Sequence, residues 1–381
     1  MIQSPIELEF ISASDPSAPP NKIVTFTSYQ FERSIISPAS SFRFTAPGVS
    51  RDTRLAIRSG DLVQVFAYNK AGDRLPLAIG IIDETDTHVS KDSVEYVITG
   101  RDILGQLVDN ASVDASNKVI FFEKASLKTI IGSVIANTRC PAGFRLSHAP
   151  NSSFLFSSNV GETKINALQR MLEFANLLIW SNADGQVIVG KPNFAQATSG
   201  DLYCLYGNPG NNIIECRVRR NLNQGIRKIA TQLQTLSKTD ASVATMLNNE
   251  KDMIPVGRAG VGRSIYTFFD YGNGGDSVNQ LNQVGNQSAN YNQIGAEYSR
   301  RQLARENMNI LAVEAVVRNH INSDGIIYDI DQTYNVQIDD EDLDETLYLH
   351  HVSYELTRDQ GILTRLNLCR LNTIVSGSAA R

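Results

Sequence analysis

Between Gly60 and Asp102 the sequence alternates with a period of two, and this stretch restricts the possible folds more than any other. Val63, Val65 and Ala67 interleave with Leu62, Gln64, Phe66 and Tyr68; later, Val94, Tyr96 and Ile98 interleave with Glu95, Val97 and Thr99. Strands that pack one face have this period, because successive side chains point to opposite sides of a sheet. Gly60-Asp61 opens the stretch, Ala71-Gly72-Asp73 supplies a hairpin turn, Gly80 lies on the return strand, and Gly100-Arg101-Asp102 leads into Leu104. Such a layout is a small antiparallel barrel handing over to a helix.

Upstream, Ile6, Leu8 and Phe10 alternate with Glu7 and Glu9, and further alternation surrounds Val24, Phe26 and Ser28 and then Phe42 and Phe44. Residues 1–99 therefore supply about five or six short strands, enough for a first β domain closed as a barrel or sandwich. From Arg101 the period changes. Leu127, Ile130, Ile131, Val134 and Ile135 lie on one helix face, with Ser126 placed to cap it. Ile165, Leu168, Met171, Leu172 and Ala175 predict a second helix, and Leu177–Trp180, a turn at Asp184-Gly185 and Val187–Val189 predict a hairpin. Residues 100–198 are expected to form an α+β middle domain.

Alternation returns around Ile214, Cys216 and Val218 and around Ile229, Thr231 and Leu233, and stops near Lys238. Residues 239–295 are dominated by Asn, Gln, Gly and Ser, most strongly at Tyr271–Gly275 and Asn279–Gln293, which predicts a surface insertion with too few apolar residues for a core. A short helix over about 296–306 closes the insertion, giving it the span 239–306. Strands resume with Leu311, Val313, Ala315 and Val317 and continue around Tyr334–Ile338, Leu347–Leu356 and Ile362–Leu371. Residues 199–238 plus 307–373 are expected to form a second β domain, and 374–381 a frayed tail.

The chain has 381 residues, 42% hydrophobic and 20% charged, with material for two to four domains at roughly 100–200 residues each. It has no apolar run long enough to span a membrane, and Met1–Pro5 lacks a basic stretch leading into an apolar one, so folding in the cytosol without stable membrane insertion is expected. Cys140, Cys204, Cys216 and Cys369 have no paired short spacing and are expected to be free thiols. The formal net charge of -5 argues against a stable electrostatic grip on nucleic acid.

Several constellations are candidates for chemistry. Asp339-Asp340-Glu341-Asp342 with Asp344 and Glu345 gathers oxygens but lacks the spacing and central Gly of a calcium loop. His350 and His351, as strand neighbours, point to opposite sides and so do not chelate one ion. Glu162 with Glu173, and Asp83 with Glu84, are the carboxylates available for glycoside hydrolysis. Gly257–Gly262 is rich in glycine but lacks the Lys-Ser/Thr end of a phosphate loop. Arg217, Arg219 and Arg220, and separately Arg300, Arg301 and Arg305, are solvated faces or subunit contacts. No catalytic, cofactor or metal set emerges.

The succession resembles the baseplate hub proteins of Mu-like phages, the 43 kDa tail protein group, and more distantly the late control protein D and type VI spike families. The resemblance rests on Gly60-Asp61 with Val63 and Val65, Gly80, Gly100-Arg101-Asp102 with Leu104 and Leu107, and, in the middle domain, Ala167-Leu168 to Leu172 and Asp184-Gly185 before Val187. It implies two tail-tube-like β-barrel domains flanking the α+β domain, in a non-enzymatic homotrimer forming a ring of six quasi-equivalent domains. It further implies that the ring joins a tail tube or distal tail protein to a central spike, beside other baseplate proteins, and lets DNA pass; the acidic balance of the chain is compatible with a lumen wall that does not hold DNA. The location implied is the tail baseplate of the virion, after assembly in the bacterial host cytoplasm. No valine-glycine repeat or lysozyme-like module follows Leu371, so spike and hydrolase are expected on separate chains. The alternatives are a tail-associated peptidoglycan hydrolase and a host-surface binding module.

Overall fold

The protein is described by a computed structural model covering residues 6–375 except 115, 137, 141, 149–152, 222–225, 235–241, 248–254, 257–258, 261–262 and 271–290. Strands β1 (Ile6–Ile11), β2 (Asn21–Ile23), β3 (Ser28–Ser34) and β4 (Ser41–Pro47) precede a short helix α1 (Arg51–Ala56) and strands β5 (Leu62–Tyr68), β6 (Arg74–Val89) and β7 (Val94–Asp102). The middle of the chain carries α2 (Gly105–Asp109), β8 (Phe121–Ser126), α3 (Leu127–Ile135), β9 (Phe144–Leu146), β10 (Ser153–Ser157), α4 (Lys164–Ala175), β11 (Leu178–Ser181) and β12 (Val187–Gly190). There follow β13 (Asp201–Cys204), β14 (Ile213–Arg220), β15 (Ile226–Gln234), β16 (Ser242–Leu247), β17 (Pro255–Val256), β18 (Ala259–Gly260), β19 (Arg263–Asp270) and α5 (Tyr291–Asn307). The described chain closes with β20 (Leu311–Arg318), β21 (Gln332–Ile338), β22 (Leu343–Thr357) and β23 (Gly361–Arg370). It is mainly β, with 47% strand and 15% helix.

The middle helices form where the sequence predicts, and their caps explain their ends. Ser126 Oγ accepts the Thr129 amide at the start of α3, and Thr163 Oγ1 accepts the Asn166 amide at the start of α4. Helix α4 stops at Asn176, which takes the left-handed conformation that asparagine tolerates. Leu127, Ile130, Ile131, Val134 and Ile135 are all buried, against Leu168, Met171 and Phe156 and against Leu62 and Ile79 from the first sheet region. Each such side chain contributes about 1.5–3 kcal/mol of transfer free energy, so this second core fastens the middle segment to β5 and β6.

A single 13-stranded sheet runs through both β regions in the order β14-β20-β23-β22-β3-β4-β7-β6-β5-β1-β2, with β21 and β13 attached beside β22. Its path ends at β14 and β2, and no ring of hydrogen-bonded strands closes on itself among the described residues. Read by strand neighbours, the first region is β3-β4-β7-β6-β5-β1 and the second is β14-β20-β23-β22-β21-β13. The chain thus lays out the same strand order twice, with counterparts in the same sequence order. One pairing differs in direction: β1 meets β5 antiparallel, whereas β13 meets β21 parallel.

Register sharpens the match. In the β6–β7 hairpin the ladder shifts between Ile82 and Glu84; in the β22–β23 hairpin it shifts between Leu349 and His351. Aligning these bulges makes Asp83 the counterpart of His350, and Glu84 to Val89 the counterparts of His351 to Leu356. One contiguous apolar core serves both regions, from Leu8, Phe44 and Ile98 to Val313, Leu347 and Leu366.

The insertion is more structured than its composition predicts. Strand β15 pairs with β16 and β19 in a separate three-stranded sheet and does not extend the main one. Val243 and Leu247 and the Ile265–Phe269 stretch supply apolar residues that the surrounding Asn, Gln and Gly dilute in any average. Helix α5 spans Tyr291–Asn307, longer than expected. Tyr271–Gly275, most of Asn279–Gln293 and the tail from residue 376 lie outside the described residues.

Candidate assembly interface

The two β regions meet at a seam. Strand β22 pairs with β21 up to Leu349 opposite Gln332, bulges at His350, and then pairs with β3 from His351 opposite Ser34 to Leu356 opposite Tyr29. The Ile35 amide donates to the His350 carbonyl at 3.0 Å, so the bulge is where β22 changes partners.

Aromatic rings fill the seam. Phe31 stacks on Tyr354 with centroids 4.6 Å apart, and His320 meets Tyr354 edge-on at 5.1 Å. His320 also fixes a hydrogen-bond chain. Thr364 Oγ1 donates to the Asn319 carbonyl at 2.6 Å, so it accepts from His320 Nδ1 at 2.8 Å. Nε2 is then the acceptor for the Tyr29 hydroxyl at 2.6 Å. Burial pushes the His320 pKa down to about 3, in keeping with this neutral tautomer.

Arg33 ties the seam to the middle segment. It is buried on the same face of β3 as Tyr29 and Phe31, forms an ion pair with Asp329, and donates to the Ser181 carbonyl at 2.8 Å. The Ser181 hydroxyl donates to Asp102 at 2.9 Å, and Asp102 also accepts the Leu104 amide at 3.0 Å. Burial raises the Asp102 pKa to about 6 against these hydrogen bonds. The Gly100-Arg101-Asp102 stretch is therefore a structural junction. Sequence reasoning found Asp102 but missed Arg33, Asp329 and His320; the available signal was a charged Arg33 in the apolar phase set by Tyr29 and Phe31.

Gly80 and Gly100 face the ring of Phe42. A Cβ on Gly80 would lie 2.6 Å from both the Arg101 carbonyl oxygen and Phe42 Cε1, and one on Gly100 would lie closer still to the Ile81 carbonyl and Phe42 Cζ. Only glycine allows this approach. Beside them, Arg101 pairs with Asp83 at 2.7 Å and Asp109 at 2.5 Å, which holds its guanidinium firmly charged.

The candidate chemical groups are dispersed or engaged. Glu162 accepts two hydrogen bonds from Arg170 and one from the Asn159 amide; these outweigh its partial burial and lower its pKa, the opposite of what a general acid needs. Asp83 is held by Arg101, and the Glu173 carbonyl accepts from Arg301 on α5. In the acidic run, Asp339 accepts the Tyr206 amide, Glu341 pairs with Arg220, Asp344 accepts from Gln337, and Glu345 pairs with Arg370. Among the described residues no cluster of three His, Cys, Asp or Glu is placed to hold a metal ion. Burial pushes His350 down to about 3, with its neighbour His351 adding to the effect. The four cysteines are free, with Cys204 beside Cys216; burial first, then that neighbour, raises Cys216 to about 11. In Gly257–Gly262 only residues 259–260 are described, as strand β18.

Arg217, Arg219 and Arg220 lie on β14, the end strand of the sheet. Arg217 and Arg219 share one carboxylate, Glu314, at 3.9 and 3.8 Å. Of the other cluster, Arg301 is used within the chain, donating to the Glu173 carbonyl in the last turn of α4.

No protein-family model matches the sequence, and neither does any curated protein sequence. Solved structures do match over almost the whole chain. A tail protein from Neisseria meningitidis MC58 superposes with a TM-score of 0.73 at 16% identity, covering 97% of each chain. The 43 kDa tail protein of prophage MuSo2 from Shewanella oneidensis superposes with a TM-score of 0.70 at 17% identity, covering 97% of this chain and 99% of that one. This chain has the fold of phage tail proteins. The same fold reaches into secretion machinery: an E. coli component of the type VI secretion system matches with a TM-score of 0.52 at 10% identity, over 94% of this chain and 76% of its own. The resemblance read from the glycine and strand layout is the likeness found among structures.

Proposed function

We propose that this chain is a structural hub of a contractile phage tail. Three copies form a ring of six quasi-equivalent β domains that joins the tail tube or distal tail protein to the central spike and lets DNA pass. The observation that carries this reading is the strand order laid out twice in one polypeptide and joined through β22 and β3. Two related domains per chain, taken three times, present six similar positions to a six-fold tube while the chain itself keeps three-fold symmetry for a spike. In the ring each β region completes its barrel with strands contributed across domain boundaries; 1–99 and 100–198 correspond to the tube-like and middle domains, and the second tube-like domain is 199–220 plus 311–373, because β15, expected within it, belongs to the separate small sheet.

The structural neighbours support a place in the virion tail. Further matches at TM-scores near 0.57 come from Francisella complexes of PdpA with VgrG, which supports a spike protein as partner. The role proposed is architectural, without catalysis; in support, Glu162 is held by Arg170 and the Asn159 amide, and Asp83 by Arg101. Other baseplate proteins and assembly in the host cytoplasm belong to the same reading.

Light scattering across a range of concentrations tests it. A stable mass near three times 41.9 kDa is expected, with pseudo-six-fold rings in electron micrographs. A strict monomer at all concentrations would overturn the reading and restore the hydrolase and surface-binding alternatives.

A further inference from the structure

The internal seam is a template for a second, external one. Within the chain, β22 hands its far half to β3; the counterpart of β22 is β6, and its far half, Glu84–Val89, pairs only with β7. The counterpart of β3 is β14, which among the described residues pairs only with β20. Among the described residues the outer edge of each is unpaired. Exposed edges offer rows of backbone donors and acceptors, and charge on them often serves only to prevent aggregation. Here the two edges carry opposite charge, and the repeat specifies how they would meet.

The register follows from pairings already described. Tyr29 lies opposite Phe44 and Phe44 opposite Ile98; in the second region Cys216 lies opposite Ala315 and Ala315 opposite Leu366. Ile98 and Leu366 are themselves counterparts, opposite Thr85 and Val352. Cys216 therefore stands for Tyr29, Arg217 for Gln30, Arg219 for Glu32 and Arg220 for Arg33. Carrying over the internal pairings of Ser353 with Glu32 and Glu355 with Gln30 sets Asp86 opposite Arg219 and His88 opposite Arg217. Glu84 then lies diagonal to Arg219.

Resting on the ring reading above, we propose that the Glu84–Val89 edge of one chain pairs antiparallel with β14 of a second copy of this chain, with Asp86 facing Arg219. Arg219 is 53% exposed and shares Glu314 with Arg217, so a further carboxylate is accommodated. Val89, 64% exposed in the single chain, would be covered as its counterpart Leu356 is half-covered by β3. The contact joins different surfaces of the two chains, so it propagates around a ring and closes when the last copy meets the first.

The test is oxidative crosslinking of the full chain carrying Asp86→Cys and Arg219→Cys, whose Cβ atoms would approach within cross-strand distance. Covalent trimers on a non-reducing gel are expected, reverting to single chains on reduction. Each single variant, and the off-register pair Asp86→Cys with Arg217→Cys, should give several-fold less product. Independently, Asp86→Arg or Arg219→Asp should weaken association by about tenfold per seam, equivalent to about 1.4 kcal/mol, and the two together should restore it. A wild-type trimer by light scattering without in-register crosslinking, or without rescue by the swap, overturns the seam and leaves the hub reading standing. A wild-type monomer overturns both.

Discussion

In the first β region the ring of Phe42 lies over Gly80 and Gly100; at the matching positions of the second stand Val313, Leu347 and Leu368, all fully buried. One region fills the space between strands with a single large ring over two bare backbones, and the other fills it with three medium side chains. Strand order and bulge position are preserved while the identity and the size of the side chain at each position are not. The two regions also differ in exposure. The far half of β22 is covered by β3, and the far half of β6 is open.

The most severe way to break the comparison is to give the first region a residue of the second. Gly100→Leu places atoms on the Ile81 carbonyl and the Phe42 ring and should destabilise by about 3 kcal/mol or more, read as a loss of soluble protein or of the urea midpoint. Adding Phe42→Val relieves the ring but not the carbonyl, so an intermediate midpoint is expected. The reciprocal Leu368→Ala leaves a cavity and should cost about 2–5 kcal/mol. A wild-type midpoint for Gly100→Leu would show that the close approach is not required.

Arg33 and its counterpart Arg220 sharpen the comparison. The Arg33 side chain is 4% exposed against Asp329, whereas Arg220 is 35% exposed against Glu341. Arg33→Ala leaves a half-buried carboxylate and the Ser181 carbonyl without their donor and should cost about 3 kcal/mol, whereas Arg220→Ala in the single chain should cost under about 1 kcal/mol. Equal losses in thermal unfolding would mean that the internal seam is no more buried than the outer edge.

The smallest effect concerns pH. His320 and His350 have folded pKa values near 3, below the usual 6.5, so their stabilisation is complete above about 6.5 and is lost as pH falls toward 3. Asp102, raised to about 6, acts oppositely: its protonated folded form favours stability at low pH, and that contribution fades as pH rises through 6. Two histidines against one carboxyl leave a net loss on acidification, and His351, lowered by its own burial, adds to it. A melting temperature that rises from pH 6.5 to pH 4 would contradict the neutral histidines.

Local structure was legible where neighbours in sequence determine it. Ser126 and Thr163 cap the helices that the apolar spacing predicts, and the turn at Asp184-Gly185 joins β11 to β12. Gly80 and Gly100 stood out as residues, although their partner, Phe42, is far away in the chain. The repeat was not legible, because Gly100 and Leu368 perform the same packing task with opposite volumes and no alignment of residue types reveals them. The seam was hidden for a related reason: Tyr29, His320 and Thr364 come together only once both regions share one sheet.

The link between β3 and β4 is the short span 35–40, whereas the link between their counterparts β14 and β20 is the whole span 221–310, including α5 and the separate small sheet. Only one of the two repeats bears this arm. In the proposed ring of three chains, armed and bare repeats would alternate, so six similar β positions would carry a three-fold mark. That mark is what would let a three-fold partner tell one repeat from the other.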